Sequence, residues 1–411
     1  MTPQNTLFTN DNLFVLHGLN SATIDLIYLD PPFNSKRLYS APIGSKAAGV
    51  AFKDMWTWTD VDSAYLETLV GDYPAVARFI LSAQDTAGSA MSAYLAYMAQ
   101  RLIEMRRVLK PTGSIYLHCD PTASHYLKVV MDGLFCSRKQ GGAYRNEIAW
   151  CYRGGGVPRS AFARKHDILL FYSKGSAPYF RPQFVPYSEA SQKLVAGRGG
   201  VSIDNLPRDL GRGAHMPDWW ADINSLQTWS PERLGYPTQK PVALLERVIG
   251  ASSAPGDVVL DPFCGCGTAL VAAQRMGRRW VGIDIEKRAI DVLIGRLSDD
   301  AGLFNDLIHR TDVPQRTDVT LEPMSLSAKQ RLFKQQGALC NGCKTAFEAR
   351  NLEIDHVVPR TKGGGDYYEN YQLLCGNCNR VKGNRPMEYL LSKLRAVDSV
   401  LSRSTFGPAR G

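Results

Sequence analysis

Between residues 242 and 297 the chain changes hydrophobic period again and again. "GDVVLDP" and "RWVGIDI" are short apolar runs of strand character, while "PVALLERVIGASS", "TALVAAQRMG" and "EKRAIDVLIGRL" space their apolar residues as amphipathic helices do. A strand followed by a helix cannot return by a tight hairpin. The crossover lays the next strand parallel to the first, and helices come to cover both sheet faces. This pattern fixes an α/β class with a doubly wound, Rossmann-like, mostly parallel sheet. "TIDLIYLD", "SIYLHCD", "NEIAWCYR" and "HDILLFYSK" add strands earlier in the chain. "DNLFVLHGL" reads as a short helix. Met91, Leu95, Met98, Leu102, Met105 and Leu109 recur at helical spacing and predict a core-facing helix, closed by the Pro and Gly of "LKPTGS". Residues 36 to 90 read as irregular and aromatic-rich, a loop or lid over a site.

The organisation expected is a large domain over 1–297 with a loop-rich insert at 175–236, a polar linker at 298–324, and a small module over 325–411. No apolar run is long enough to span a bilayer, and "MTPQNTLFTN" lacks the pattern of a secretion signal, so a cytoplasmic protein is expected. Lys and Arg number 48 against 39 Asp and Glu, a formal charge of +9, which favours a polyanionic partner. Nine cysteines without a secretion signal argue against a disulfide framework.

Two short stretches carry chemistry. In "VVLDPFCGCGTALVAA" a strand runs through a glycine turn into a helix, so the backbone can approach a ligand closely at the open end of the sheet. Asp284 closes the next strand nineteen residues after Gly265, the distance at which an acid reaches ribose hydroxyls. Gly265 and Gly267 are present, but Leu270 stands where a dinucleotide fingerprint has its third glycine. In "LIYLDPPFNS" two prolines stop a buried strand immediately after Asp30, because proline cannot donate to a sheet ladder.

DPFCGCGT followed by GIDI resembles the S-adenosylmethionine site of DNA amino-methyltransferases, and DPPF resembles the catalytic motif of the N6-adenine and N4-cytosine enzymes. The resemblance covers roughly residues 7 to 297, and the motif order is similar to the permuted beta class. It implies that Asp30 and the Pro31 carbonyl accept hydrogen bonds from an exocyclic amine, steering its lone pair toward the methyl group. Pro31 and Pro32 would hold that geometry, and Phe33 would face a base extruded from double-stranded DNA. For the cofactor it implies Asp11, Asp261, Phe263, Gly265, Gly267, Thr268 and Asp284, with Thr238 and Lys240 of "YPTQKP" beside the methionine end. The insert at 175–236 would read the target sequence. Aspartate rather than serine at position 30 favours adenine N6 over cytosine N4.

Near the C-terminus, Cys340, Cys343, Cys375 and Cys378 form two CxxC pairs with the spacing of a structural zinc site. Between and after them lie Asp355-His356, Asn370 and Asn379. This module resembles the HNH nuclease fold, a small zinc-stapled ββα-metal domain. By that resemblance His356 would be the general base, Asp355 and Asn379 would hold Mg²⁺ or Mn²⁺, Asn370 would fix the loop that orients His356, and Arg380 and Lys382 would contact the DNA backbone.

The expectation is therefore a methyltransferase fused to a nuclease on one chain, a compact restriction–modification unit that is nucleoid-associated when bound to DNA; a homodimer is left open. The competing readings are an N4-cytosine enzyme, a methyltransferase whose rear module only binds DNA, and a DNA-binding protein that senses S-adenosylmethionine without transferring methyl. His17, His125, His215 and His309 read as structural or surface residues, His118 as a residue bordering the site, and Cys264 and Cys266 as packing residues.

Overall fold

The computed structural model describes residues 4–394 apart from 34–36, 43, 59–60, 62–68, 138–139, 155, 157, 188–212, 302–305, 320–323, 386, 388 and 392. Its strands are β1 (Thr6–Thr9), β2 (Ile24–Leu29), β3 (Arg37–Ser40), β4 (Ala51–Asp54), β5 (Leu109–Cys119), β6 (Ala143–Cys151), β7 (His166–Ser173), β8 (Phe184–Val185), β9 (Ala214–His215), β10 (Trp219–Trp220), β11 (Val258–Asp261), β12 (Arg279–Asp284), β13 (Ile308–Arg310), β14 (Leu352–His356) and β15 (Tyr371–Cys375). Its helices are α1 (Asn12–Gly18), α2 (Pro74–Ala87), α3 (Ser89–Val108), α4 (Ser124–Met131), α5 (Val242–Ser252), α6 (Thr268–Arg275), α7 (Lys287–Ala301), α8 (Leu326–Gln335) and α9 (Gly376–Lys382).

Nine strands form one sheet in the order β10-β6-β7-β5-β2-β11-β12-β1-β13. Its pairings are parallel except those of β7, which runs antiparallel to both β5 and β6. Side chains of β2 alternate between the two faces. Ile27 and Leu29 enter one core with Leu95, Met98 and Leu102 of α3. Leu26 and Tyr28 enter the other with Leu245 of α5 and Leu270 of α6. A strand of period two buried on both sides needs apolar residues throughout, which is why "LIYL" carries no clean polar alternation.

Five segments depart from the expectation. β1 precedes the first helix and lies between β12 and β13. β5 starts at Leu109, ahead of Pro111 and Gly113. There the register with β2 shifts, and a Cβ on Gly113 would lie 2.9 Å from the Asp25 carbonyl oxygen. The aromatic-rich stretch contains the β3–β4 hairpin and all of α2. Trp219 and Trp220, inside the expected insert, extend the main sheet as β10 beside β6; residues 188–212 of that insert lie outside the described residues. Ile308–Arg310, inside the expected linker, pairs with β1. Short edge strands bury one side only, so their sequences carry little hydrophobic signal.

The small module pairs β14 with β15 antiparallel, with Asp355 opposite Gln372, and packs α8 and α9 around Leu352, Leu373 and Leu374. It rests on the large domain through the segment before it. Thr317 N donates to Asn20 Oδ1 at 2.8 Å, Ser21 N donates to Asp318 Oδ2 at 2.8 Å, and Asn10 Nδ2 donates to the Thr311 carbonyl at 3.0 Å. Lys362 lies 4.4 Å over the Phe14 ring of α1. Among the described residues no helix is long and apolar enough to cross a membrane.

Candidate active sites

β2 and β11 are hydrogen-bonded neighbours, with Ile27 opposite Leu260, so the turns that follow them open at the same end of the sheet. A cavity of about 500 Å³ lies there, within the usual range for small-molecule sites. Asp30, Pro31, Pro32 and Phe33 line it together with Asp11, Asp261, Phe263, Gly265, Thr268, Asp284, Thr238 and Lys240. Gly267 stands at the N-terminus of α6 with φ +72°, where a Cβ would lie 2.0 Å from Leu293 Cδ1. Apart from Gly267, which does not line it, the motif residues, distant in the chain, therefore share one cavity because two parallel neighbours end beside each other.

The cofactor side is braced from several directions. Gly265 has φ +48°, and a Cβ there would lie 2.8 Å from Tyr236 Oη, so both conformation and space require glycine. Asp284 accepts from Gly265 N at 2.8 Å and from Glu286 N at 2.8 Å, holding the two loops at a fixed spacing. Burial raises the carboxyls of Asp284 and, more strongly, Asp261; Asp30 and Asp284 add to the effect on Asp261. Asp11 caps α1 by accepting from Leu13 N, and Arg101 Nη2 lies 3.1 Å from Asp11 Oδ1. Arg101 also donates to Asn12 Oδ1 at 2.6 Å, and Asn12 Nδ2 donates to the Pro262 carbonyl at 2.7 Å. A cavity that joins a glycine turn, acids at two strand ends and the aromatic pair Trp56–Tyr97, whose rings are 4.0 Å apart, fits a cofactor combining a nucleoside with a charged chain.

The side of the cavity lined by Asp30 to Phe33 differs from expectation at Lys240. Its ammonium lies 2.6 Å from Asp30 Oδ2 and 5.3 Å over the Phe33 ring. Thr238, two residues before it, adopts φ +63°, a conformation that non-glycine residues hold only where the surroundings enforce it. Phe33 stacks on His118, with centroids 6.1 Å apart and planes at 21°. His118 is fully buried; its Nδ1 is 2.8 Å from Tyr28 Oη and its Nε2 is 3.1 Å from Asp167 Oδ2. Burial raises the Asp167 carboxyl, but its contacts with His118 outweigh this and hold it below the ordinary range. Sequence reasoning missed Asn12, Tyr28 and Glu286 as lining residues. Position would have revealed two of them: Tyr28 is two residues before Asp30, and Glu286 is two after Asp284.

The four cysteines of the small module present Sγ atoms within 4.8 Å of one another. Cys375 N donates to Cys340 Sγ at 3.2 Å, and Cys378 N to Cys375 Sγ at 3.5 Å. Burial raises the Cys343 thiol, but hydrogen bonds, chiefly with Thr345, lower it to about 7. Four converging sulfurs with backbone amides aimed at them suit zinc. Asn370, 3% exposed, accepts from Val358 N and donates to the carbonyls of Val358 and Gly365, pinning the loop after His356. His356 Nε2 is 2.8 Å from Asp366 Oδ1, a partner the sequence did not signal. Asp355 and Asn379 keep the oxygen chemistry that suits a hard cation. Lys382, expected at the DNA backbone, is 1% exposed and lies 2.8 Å from Asp355 Oδ2. A phosphate cannot reach an ammonium enclosed in this way.

The family model described as DNA methylase matches residues 24–295. The chain belongs to the N6/N4 DNA methylase family. An HNH endonuclease model matches residues 340–385, so the chain joins a DNA methylase family domain to a C-terminal HNH domain. Relatives include the type II methyltransferase M.HpaI of Haemophilus parainfluenzae, 30% identical over 53% of this chain and 63% of that protein. The methylase thus spans less than two thirds of that relative. M.EcaI of Enterobacter cloacae is 24% identical over 80% of this chain and 76% of its own. The DNA adenine methyltransferase YhdJ of Escherichia coli K12 is 26% identical over 71% and 82%. Among solved structures, the complex of M1.HpyAVI with SAM is 18% identical, with a TM-score of 0.40 over 71% of this chain and 98% of that one.

Proposed function

We propose that the methylase transfers a methyl group from S-adenosylmethionine to adenine N6 in double-stranded DNA, and that its HNH domain cuts DNA with a divalent cation. One observation carries the first part: Asp30 and Phe33 open into the same cavity as the glycine turn at Gly265. S-adenosylmethionine held at Asp11, Asp261, Gly265 and Asp284 supplies a methyl group on a positively charged sulfur. An exocyclic amine is a poor nucleophile because its lone pair is conjugated with the ring. Two acceptors, Asp30 and the Pro31 carbonyl, draw the N–H bonds out of the ring plane, so the lone pair leaves conjugation and faces the methyl carbon, and the proton that the methylated nitrogen sheds passes to Asp30. Lys240 Nζ donates to Asp30 Oδ2 and must slide aside as the amine arrives. Phe33, backed by His118, offers a flat surface to the extruded base. Adenine is favoured by aspartate at position 30 and by the name of the YhdJ relative.

In the HNH domain, a cation held by Asp355 and Asn379 would supply charge against the scissile phosphate. His356, oriented through Nε2 by Asp366, would take a proton from water with its other ring nitrogen. The wider reading is a restriction–modification unit on one chain. Long-read sequencing of DNA from cells expressing the protein tests the first part. N6-methyladenine at one sequence context, absent with Asp30→Ala, is the expected result; N4-methylcytosine would overturn the choice of base, and no modified base would overturn the transfer. Cutting of unmodified DNA that His356→Ala leaves unchanged would overturn the nuclease assignment.

A further inference from the structure

The two residues expected to hold the catalytic cation each have one polar atom tied and one oxygen open. Asp355 Oδ2 receives Lys382 Nζ at 2.8 Å and Gln372 Nε2 at 2.9 Å. Among the described residues Oδ1 has no hydrogen-bond partner. Asn379 donates through Nδ2 to Glu353 Oε2 at 2.5 Å, which leaves its Oδ1 available. Gln372 is 1% exposed and sits opposite Asp355 across the hairpin. Its own orientation is not arbitrary. Asn341 Nδ2 donates to Gln372 Oε1 at 2.8 Å, and Lys344 Nζ donates to Asn341 Oδ1 at 2.8 Å. Asn341 follows Cys340 directly, and its backbone N–H donates to the Leu373 carbonyl at 2.9 Å. A continuous chain of hydrogen bonds therefore runs from Lys344 and Asn341, in the loop that carries Cys340 and Cys343, through Gln372 to Asp355.

Direction matters in this chain. An amide presents either N–H or oxygen to a neighbour, never both at one place. Because Asn341 donates, Gln372 must show it oxygen, and so must aim its N–H bonds at Asp355. That N–H, with the buried Lys382 ammonium, fixes one carboxylate oxygen and turns the other outward. Resting on the HNH reading above, we propose that Asn341, Gln372 and Lys382 are positioning residues for the nuclease cation, and that the cysteine loop sets the aim of Asp355 through them.

Asn341→Asp offers a test with little change in side-chain size. An aspartate at that position can only accept, so Gln372 must flip and present its oxygen to Asp355. The full-length protein is loaded with zinc, its zinc content is measured, and Mn²⁺ is titrated while free Mn²⁺ is followed by electron paramagnetic resonance. Wild-type protein should bind Mn²⁺, and Asn341→Asp should weaken that binding at least tenfold with zinc content unchanged. Gln372→Ala should weaken it similarly, and the double variant should be no weaker than Gln372→Ala alone, since both substitutions break one relay. Full Mn²⁺ affinity in Asn341→Asp, or additive losses in the double variant, would overturn the relay. If Asn341→Asp loses zinc, Gln372→Ala decides alone: retained zinc with unchanged Mn²⁺ affinity overturns the proposal, and retained zinc with weakened affinity supports it. Zinc-loaded wild-type protein that binds no Mn²⁺ would instead overturn the HNH reading itself.

Discussion

The contact between Asp30 and Lys240 makes a quantitative prediction. The side chains are 17% and 9% exposed, and the charged atoms lie 2.6 Å apart. At an effective dielectric of about 20, the direct attraction is roughly 6 kcal/mol. Most of that is offset by the water both groups have lost, leaving a net value of about 1.5–3 kcal/mol for a charge-assisted hydrogen bond. Asp30→Ala strands an ammonium, and Lys240→Ala strands a carboxylate near the buried Asp261. Each should cost about 2–4 kcal/mol. The double variant strands neither, so its cost should fall short of the sum by about 1.5–3 kcal/mol. Urea unfolding of the four proteins at 0.15 M salt, followed through the methylase transition, measures this coupling. Additivity within about 0.5 kcal/mol would show that the ion pair does not organise the site.

Two further predictions concern the frame around the site. Gly18→Ala should gain about 1 kcal/mol from helix propensity alone, yet its Cβ would lie 1.8 Å from the Pro314 carbonyl oxygen, a backbone atom with no rotamer to escape into. Overpacking of this kind costs about 1–3 kcal/mol, so the net change should be a loss, with faster limited proteolysis between residues 311 and 319; a raised Tm would refute the docking of that segment. Asp261 has its folded pKa raised by burial, so the folded state binds a proton more tightly than the unfolded chain does, and the stability this confers fades as pH climbs from the ordinary carboxylate range through the raised value. Asp261→Asn removes that dependence while keeping an acceptor for Phe263 N, so its Tm relative to wild type should rise between pH 4 and pH 8; an equal difference at both would refute it.

How legible the molecule was depended on how local each signal is. DPPF, the glycine turn and the CxxC pairs are runs of adjacent residues whose geometry demands particular side chains, and each could be placed from the sequence. The Asn12–Arg101 brace could not, since its partners lie far apart and only the packing of α1 on α3 joins them. Asp366 was hidden for the same reason: "GGGDYY" reads as a turn, and only the folded loop carries its carboxylate back to His356. Lys382 was misplaced because a lysine two residues after Arg380 in a basic stretch looks solvent-facing, whereas α9 turns it inward onto Asp355. The antiparallel course of β7 leaves no mark on an apolar strand buried on both faces.

The strand Ile308–Arg310 follows the last helix of the methylase region in sequence, yet it closes the sheet alongside Thr6–Thr9, and both fall outside the span 24–295 that the family model matches. Trimming the gene to that span would peel two strands from one flank and leave the row of N–H and C=O groups along β12 without partners. Such an open ladder invites a second molecule to add its own strand. The smallest fragment of the methylase family domain that keeps its flank sealed therefore runs from before residue 6 to beyond residue 310, and carries with it the beginning of the path to the HNH domain.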